Sequence, residues 1–366
     1  MQIKETAPET TLVIGASGII GGGYIRHTLK RVAQQIPEQT VDGPILIGLS
    51  RQPPALPHMQ YIPMAHDLMN GGDAHEIDQY PNLKDVTRAV YAGFIDGDPR
   101  TGQRENNRML FAKALGFLRA HCPSLKHVTL MEGMKAYGTH LGPHKTPSRE
   151  TDPRLPEGHY YYDQEDLLRQ DAAQMGWMYT VLRPHIVLGP ARRSPQNIIS
   201  VLATHARMCK ASGERFFFPG NEQSFTSITQ ATDIDLLCQA IDWAYLSEEA
   251  RGGVFNITNG DVFRWCNLWP KIADFFELEA EGPRNIKLSS YWDQGKAIGM
   301  NMRGAHAHSH TISEEGQTFV SWPFADYVFS ITWDVMAHLG ACRKAGFHGY
   351  CDTEEVILAR LEDFNF

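Results

Sequence analysis

The chain has 366 residues, of which 42% are hydrophobic and 21% charged, a composition typical of a globular protein with one or two cores. Its net charge of −8 and its lack of a Lys/Arg run argue against a nucleic-acid or anionic-membrane partner, which would need an electropositive face. We therefore expect a small-molecule partner.

The six cysteines are scattered and form no C-x-x-C pair, which favours free thiols in a reducing compartment. About ten polar residues precede the first apolar run, without the charged and then apolar pattern of a secretion signal. No stretch approaches the length of a membrane span. We expect a cytoplasmic protein that does not bind membranes.

The first half of the chain alternates apolar runs with segments of helical spacing. An apolar run at 11–14, a glycine-rich turn, a helical stretch at 19–34 and a second apolar run at 45–49 form a βαβ unit. Later apolar runs, separated by helical segments such as 107–121 and 164–175, lie at 61–64, 89–94, 126–131 and 179–182. Strands that alternate with helices predict an α/β fold, a doubly wound parallel Rossmann sheet covered on both faces.

After about residue 183 the alternation becomes irregular, with Pro, Gly and aromatic residues between shorter elements. Strand-like pieces at 216–218 and 254–257 lie among helical stretches at 233–246 and 265–276. We predict a Rossmann domain at 1–190. Residues 191–366 should form mostly a smaller, mixed substrate-binding lobe, with some segments returning to the Rossmann sheet.

A G-x-x-G-x-x-G turn stands directly between the first strand and the first helix. Glycine lets the backbone approach a pyrophosphate, whose charge is met by N–H groups at the helix N-terminus. No G-K-[S/T] follows, which argues against an ATP-type phosphate loop. The turn predicts a dinucleotide site that includes Gly15, Ser17, Gly18, Ile19, Ile20 and Gly21.

The second strand ends in Ser50 and Arg51, where an acidic residue would hold the 2′-hydroxyl of NAD. Arg51, assisted by Ser50, would instead pair with a 2′-phosphate, so the sequence favours NADPH/NADP+ and makes 1–190 the NADP-binding domain. A solvated surface Arg51 is the alternative. Two further segments, which could equally be core, are expected near the cofactor: Asp67 and Leu68 at the adenine, and Tyr91, Ala92 and Gly93 at a strand end.

Several motifs resemble those of one enzyme family. Residues 161–166 resemble its Tyr-Tyr-x-x-Glu-Asp motif, and residues 132–138 resemble its Thr-Gly-x-Lys-x-Tyr-x-Gly-Pro pattern. Residues 255–265 resemble its Phe-Asn-x-x-Asn-Gly-Asp-x-x-x-Trp signature, and residues 344–350 resemble its C-terminal Gly-Phe-x-Gly element. The chain is therefore similar to the progesterone 5β-reductase/iridoid synthase-like (PRISE) enone reductases of the extended short-chain dehydrogenase/reductase superfamily, over about residues 11–363.

This resemblance implies Tyr161 and Lys135 as the catalytic pair, in place of the Tyr-x-x-x-Lys pair that is usual in the superfamily. The run of three tyrosines leaves Tyr162 open as the donor. The resemblance also implies cofactor contacts from Asn107, Pro184 and Ile186, and substrate contacts from Phe94, Tyr162 and Phe347. Two departures, Glu132 in place of Thr and His185-Ile186 after Arg-Pro, would reshape the pocket.

The implied activity is NADPH-dependent reduction of the C=C bond of an enone or aldehyde substrate. Tyr161 would hydrogen-bond the oxygen on which enolate charge develops, and Lys135 would favour its tyrosinate character. Three alternatives stay open: a sugar-nucleotide epimerase or dehydratase, a carbonyl reductase, and a non-catalytic NADP-sensing regulator. In the first of these, Arg192 and Arg193 would contact an anionic group of the substrate. Many relatives in the superfamily are homodimers, but this sequence does not fix the oligomeric state.

His306, His308 and His310 alternate, so they would lie on one face of a strand. No carboxylate or cysteine completes a known ligand spacing, so we expect exposed histidines and no metal.

Overall fold

Seven parallel strands form the central sheet in the computed structural model, which describes residues 9–35, 43–71, 77–97, 102–191, 194, 196–293, 310–312 and 319–363. The strands are β1 Thr10–Ile14, β2 Ile45–Ser50, β3 Tyr61–Ala65, β4 Val86–Tyr91, β5 His127–Met131, β6 Met178–Pro184 and β11 Val254–Ile257. Their spatial order is β3-β2-β1-β4-β5-β6-β11, and every pairing is parallel. This order is typical of a dinucleotide-binding Rossmann sheet.

Helices cover both faces of the sheet. Because side chains alternate along a strand, Leu12 and Ile14 of β1 pack on one face, against α2 (Gln103–His121) and α3 (Tyr160–Met175). Val13 packs on the other face, against α1 (Ile19–Gln35) and α6 (Ile234–Leu246). The predicted α/β doubly wound fold is therefore confirmed.

The second half of the chain builds a separate aromatic core. Its helices are α4 Ile198–Ser212, α5 Glu222–Thr226, α7 Trp265–Phe275, α8 Leu288–Asp293, α9 Trp322–Phe329, α10 Gly340–Lys344 and α11 Thr353–Glu362. Its strand pairs are β7 Ile186–Leu188 with β10 Ala231–Asp233, β8 Phe216–Phe218 with β13 Ala280–Pro283, β9 Ile228–Thr229 with β12 Phe263–Arg264, and β14 His310–Ile312 with β15 Phe319–Ser321. At the centre of the aromatic core, the ring of Phe216 stacks on that of Trp269, with 4.3 Å between the ring centroids.

Three elements of the second half, α6, α10 and β11, join the Rossmann sheet and its helical layer. The division of the chain at residue 190 stays a prediction. His306, His308, Arg192 and Arg193 lie outside the described residues. Across the described ranges, no group of three or more His, Cys, Asp or Glu side chains could hold a metal ion. None of the helices described above combines the length and apolarity that a membrane span requires.

Two local differences from the sequence prediction affect the site. The fourth strand ends at Tyr91, so Gly93 and Phe94 lie in the loop that follows it. Helix α3 starts at Tyr160, where His159 caps it by accepting a hydrogen bond from the Tyr161 N–H at 3.2 Å. All three tyrosines therefore belong to the first helical turn, and they point in different directions.

Candidate active site

A cavity of about 580 Å³ lies where β1, β4, β5 and β6 end. Doubly wound folds bind ligands at the carboxyl ends of their strands, and this cavity lies at that edge of the sheet. The wall from the first half of the chain includes Gly15, Ser17, Gly18, Ile19, Ile20, Arg51, Ala92, Gly93, Phe94, Lys135 and Tyr161. The opposite wall is formed by residues that follow β6 and by helix α9.

The glycine-rich turn has no room for side chains. Gly15 has φ +89°, and a Cβ atom there would lie 2.6 Å from the carbonyl oxygen of Ala92. A Cβ atom on Gly21 would lie 2.4 Å from the carbonyl oxygen of Gly15, which explains the close contact of turn and helix although Gly21 itself does not line the cavity. The turn thus presents bare backbone and the N-terminus of α1 to the cavity, an arrangement that fits a pyrophosphate.

Arg51 lines the same cavity from the end of β2 and is exposed. The neighbouring hydroxyl Oγ of Ser50 is buried and has no hydrogen-bond partner within the described part of the chain. Pro184 and Ile186 line the cavity from the far side, beside the unpredicted His185. These positions fit a dinucleotide that extends across the ends of the strands.

Besides Gly21 and Ser50, four residues predicted to bind the cofactor do not line the cavity. Leu68 and Tyr91 are core side chains, with Tyr91 edge-on to Phe111 at 4.6 Å. The Asp67 carboxylate accepts hydrogen bonds from its own turn, including the Met69 N–H at 2.9 Å. Local packing and turn formation already engage these three side chains, so any contact of these residues with the cofactor stays a prediction.

Asn107 is the fourth of these residues. Its side-chain amide accepts a hydrogen bond from the Ile95 N–H at 2.9 Å and donates one to the Ile95 carbonyl at 2.8 Å. Asn107 is fully buried, and its two hydrogen bonds with Ile95 hold the loop after β4 in place. Its predicted direct contact with the cofactor is replaced by a positioning role for a cavity-lining loop.

Tyr161 and Lys135 line this one cavity together. Lys135 lies in a 3₁₀ helix at Met134–Tyr137, and its Nζ is 5.2 Å from the centroid of the Tyr327 ring. The Tyr161 hydroxyl lies 3.2 Å from the position that a Cβ atom on Gly133 would take, so glycine leaves space for the phenol. The two side chains on which the enzymatic interpretation depends therefore share one site.

Burial controls the protonation of this pair. It raises the pKa of Tyr161 well above its ordinary value, against a smaller lowering by a hydrogen bond with Tyr160. Burial also lowers the pKa of Lys135, opposed by the nearby Asp96 carboxylate. Burial therefore favours the protonated form of Tyr161, a hydrogen-bond donor. The tyrosinate character expected from the sequence stays a prediction, which the direction of this pKa shift does not favour.

Tyr162 and Phe347, both predicted to contact substrate, lie outside the cavity. The Tyr162 hydroxyl donates a hydrogen bond to the Ala136 carbonyl and accepts one from the Leu155 N–H at 3.0 Å. Phe347 packs against Trp243 at 5.3 Å in the core that covers the sheet. These two side chains have structural partners, so the structure does not place them at the cavity, whereas Phe94 does line it.

The structure adds cavity residues that the sequence did not single out. Tyr160 and Gln164 line the cavity from α3, within one turn of Tyr161, and the tyrosine run itself was the available signal. Helix α9 contributes Phe324, Tyr327 and Val328 to a mostly apolar wall, which Ile331 extends just after the helix. No sequence motif marks α9, because only tertiary packing brings it over the ends of the strands.

A buried ion-pair network adjoins the site. Arg183 on β6 donates hydrogen bonds to Glu132 Oε2 at 2.8 Å, to the Tyr137 hydroxyl at 3.0 Å and to Glu165. Glu132 contributes to the cavity wall, and Glu165 follows Tyr161 by one helical turn. The network joins the end of β5 to α3 and β6. It therefore positions the segment after β5 that contains Lys135.

The comparisons with known proteins agree with this geometry. The family model of the PRISE-like Rossmann-fold domain matches residues 11–295. The chain belongs to the PRISE-like Rossmann-fold family. The match includes the glycine-rich turn, Lys135 and the three tyrosines, but not α9.

Two curated proteins are similar to this PRISE-like chain over nearly its full length. The (S)-8-oxocitronellyl enol synthase of Antirrhinum majus is 28% identical, covering 100% of this chain and 94% of its own. The 3-oxo-Δ(4,5)-steroid 5β-reductase of Arabidopsis thaliana is 25% identical, covering 99% of this chain and 93% of its own. Among solved structures, the UDP-glucuronic acid 4-epimerase of Bacillus cereus in complex with NAD superposes with a TM-score of 0.65 at 14% identity, covering 97% and 96% of the two chains. At that identity the likeness concerns the fold alone.

Proposed function

We propose that this protein is an NADPH-dependent oxidoreductase that reduces the C=C bond of α,β-unsaturated carbonyl compounds. One observation carries the proposal: the phenol of Tyr161 and the amine of Lys135 line the same cavity as a glycine-rich turn that fits a dinucleotide. Support also comes from the curated relatives, which are named as an enol synthase and a steroid 5β-reductase.

The cofactor would be held by the backbone of the turn at Gly15 and Gly18, with Arg51 and Ser50 toward the 2′-phosphate. When bound, NADPH supplies a hydride for the β-carbon of the substrate. Burial in an apolar cavity strengthens hydrogen bonds and keeps water away from the reacting atoms.

Tyr161 would donate a hydrogen bond to the substrate carbonyl oxygen, where negative charge develops as the C=C bond is reduced. Its raised pKa keeps the proton on the phenol until the oxygen becomes more basic. The ammonium of Lys135 would lie on the same side of the cavity and favour that negative charge. Phe94 and the apolar wall of α9 would cover the carbon skeleton of the substrate.

The test is an assay of NADPH oxidation with 2-cyclohexen-1-one, progesterone and 8-oxogeranial, with products identified by mass spectrometry. A saturated carbonyl product supports the proposal. An allylic alcohol as the sole product would show carbonyl reduction in its place, and conversion of a sugar nucleotide without net NADPH consumption would indicate an epimerase. Tight NADPH binding without turnover of any carbonyl would favour the regulator.

A further inference from the structure

A single guanidinium joins two buried acids beside Tyr161. Arg183 donates from Nε to Glu132 and from Nη2 to Glu165. The exposed fractions of the two glutamate side chains are 0% and 4%, so neither carboxyl group is solvated. The two carboxylates share this one buried cation, and among the described residues only Glu165 has further cations, Arg154 at 2.8 Å and Arg169 at 3.5 Å. A negative charge on Glu132 would therefore depend on a cation that it shares, which is costly in a low-dielectric interior.

The second oxygen of Glu132 identifies where that charge is removed. Glu132 Oε1 is buried and has no hydrogen-bond partner among the described residues. Glu132 and Glu165 accept hydrogen bonds from Nε and Nη2 of the same guanidinium, which brings the two carboxyl groups close to each other. Two carboxylates can only accept hydrogen bonds, so a hydrogen bond between them requires a proton on one of the two. The unsatisfied oxygen and the neighbouring acid are explained together by one shared proton.

The remaining partners decide which glutamate carries the proton. Glu165 also accepts a hydrogen bond from Arg154 at 2.8 Å, so two guanidinium groups stabilise its negative charge. Within the described part of the chain, the carboxyl group of Glu132 accepts a hydrogen bond from Arg183 alone. Because a negative charge is less stabilised on Glu132 than on Glu165, we place the proton on Glu132. Burial, together with the neighbouring Glu165, raises the pKa of Glu132 to about 8 despite Arg183.

We propose that Glu132 is a positioning residue that stays protonated and shares its proton with Glu165, so that the wall behind Tyr161 carries no negative charge. This inference rests on the proposed function, because its consequence is for the hydrogen bond from Tyr161 to a developing oxyanion. Ionised Glu132 would raise the pKa of Tyr161 further and repel the charge on the substrate oxygen.

The groups that face Glu132 come from two elements. Arg183 of β6 is the cation, and Glu165 of α3 is the acid that shares the proton. Three phenols of α3, those of Tyr160, Tyr161 and Tyr162, lie close enough to have their pKa values raised by a charge on Glu132. None of these groups other than Arg183 would stabilise an ionised Glu132.

The variant Glu132→Gln copies the protonated acid, because its carbonyl can accept from Arg183 and its NH₂ can donate to Glu165. In the wild-type protein with NADPH and an accepted enone, we expect kcat to fall roughly threefold or more between pH 7 and pH 9. In E132Q the ratio of kcat at pH 9 to kcat at pH 7 should be close to one, whatever the absolute rate of the variant. A purely structural role for Glu132 would leave the pH profile in place, and an unchanged alkaline fall in E132Q would overturn the proposal.

The matched control is Glu150→Gln. Glu150 is another partly buried acid near Arg183, but its carboxylate accepts a hydrogen bond from the Asn256 N–H at 2.8 Å, and it does not line the cavity. E150Q should show the alkaline fall of the wild-type protein. Equal flattening of the profile in E150Q would count against a specific role for Glu132.

Infrared difference spectroscopy detects whether the Glu132 carboxyl group is protonated, without any need for enzymatic turnover. The wild-type protein should show a carboxylic acid C=O band at pH 7 that shifts with ¹³C-carboxyl glutamate, disappears above about pH 8 and is absent in E132Q. The titration of the wild-type protein needs no variant, so it decides the question even where E132Q does not fold. A missing band overturns the shared proton. A band without turnover of any enone supports the shared proton and contradicts the proposed function.

Discussion

The hydroxyl of Tyr162 donates a hydrogen bond of 2.5 Å to the carbonyl oxygen of Ala136, the residue that follows Lys135. This contact removes Tyr162 from the cavity and makes it a support for the lysine segment. The neighbouring Tyr161 hydroxyl faces the cavity. Adjacent tyrosines on one helical turn therefore have different surroundings, Tyr161 at the cavity and Tyr162 on the backbone of the lysine segment.

We expect Tyr161→Phe to lower kcat by about a hundredfold or more, because loss of a donor aimed at an oxyanion costs about 3 to 4 kcal/mol. NADPH affinity, measured by fluorescence titration, should change little. Tyr162→Phe should instead leave a buried carbonyl unpaired and lower the free energy of unfolding by about 1 to 3 kcal/mol. A near-normal kcat in Y161F would remove Tyr161 from the mechanism.

Arg51→Glu should invert the cofactor preference, because a carboxylate repels the 2′-phosphate and can accept a hydrogen bond from the ribose hydroxyls of NADH. The ratio of the Kd values for NADPH and NADH should change by about ten- to a hundredfold, because this is the effect of losing one charge-assisted hydrogen bond. Arg108→Glu, on an exposed arginine of α2 outside the cavity, is the control for net charge. An unchanged ratio in R51E would place Arg51 outside the cofactor site.

Gly15→Ala should abolish NADPH binding and lower the free energy of unfolding, because the added methyl group would overlap the Ala92 carbonyl at 2.6 Å. Gly71→Ala is a matched control. Gly71 also has a positive φ, +73°, but no atom lies within 4 Å of the position of an added Cβ. G71A should therefore show only the backbone cost of about 1 to 2 kcal/mol, with normal NADPH binding. Calorimetry of both variants would separate steric overlap from backbone strain.

Stability should depend on pH through Glu132. Its pKa is about 8 in the folded protein against an ordinary value of 4.5, so the folded state binds the proton more tightly than the unfolded state. This contribution is complete below pH 4.5 and is lost as the pH rises toward 8, by up to about 1.4 kcal/mol per pH unit. Urea unfolding at pH 5 and pH 9 should show Glu132→Gln gaining stability relative to wild type at the higher pH. Parallel curves for the two proteins would contradict the raised pKa.

The sequence by itself determined the local features of the nucleotide site. The glycine-rich turn between an apolar run and a helical stretch predicts a tight strand-to-helix turn. Gly15 and Gly21 occupy positions in it where any Cβ atom would overlap backbone atoms. Strand and helix alternation likewise determined the parallel sheet, since buried strands joined by helices must run parallel. Both are announced by patterns that are local in the sequence, although the contacts that they produce, such as that of Gly15 with Ala92, join distant residues.

Only the tertiary structure decided which side chains enter the cavity. On α3, a rotation of about 100° per residue separates Tyr161, in the cavity, from Tyr162, on the Ala136 carbonyl. The choice of direction depends on β5 and β6, which are distant in sequence. For the same reason Asn107 was read as a cofactor contact, although its amide group is engaged by the backbone of Ile95.

The wall from α9 and the acid pair beside Tyr161 were also decided by the tertiary structure. Phe324 and Tyr327 carry no motif, and they reach the cavity because the second lobe packs over the ends of the strands. Glu132 stood out in the sequence only as a departure from a threonine. Its partners Glu165 and Arg183 are 33 and 51 positions further along the chain, and a proton is held between acids only where folding removes water from both.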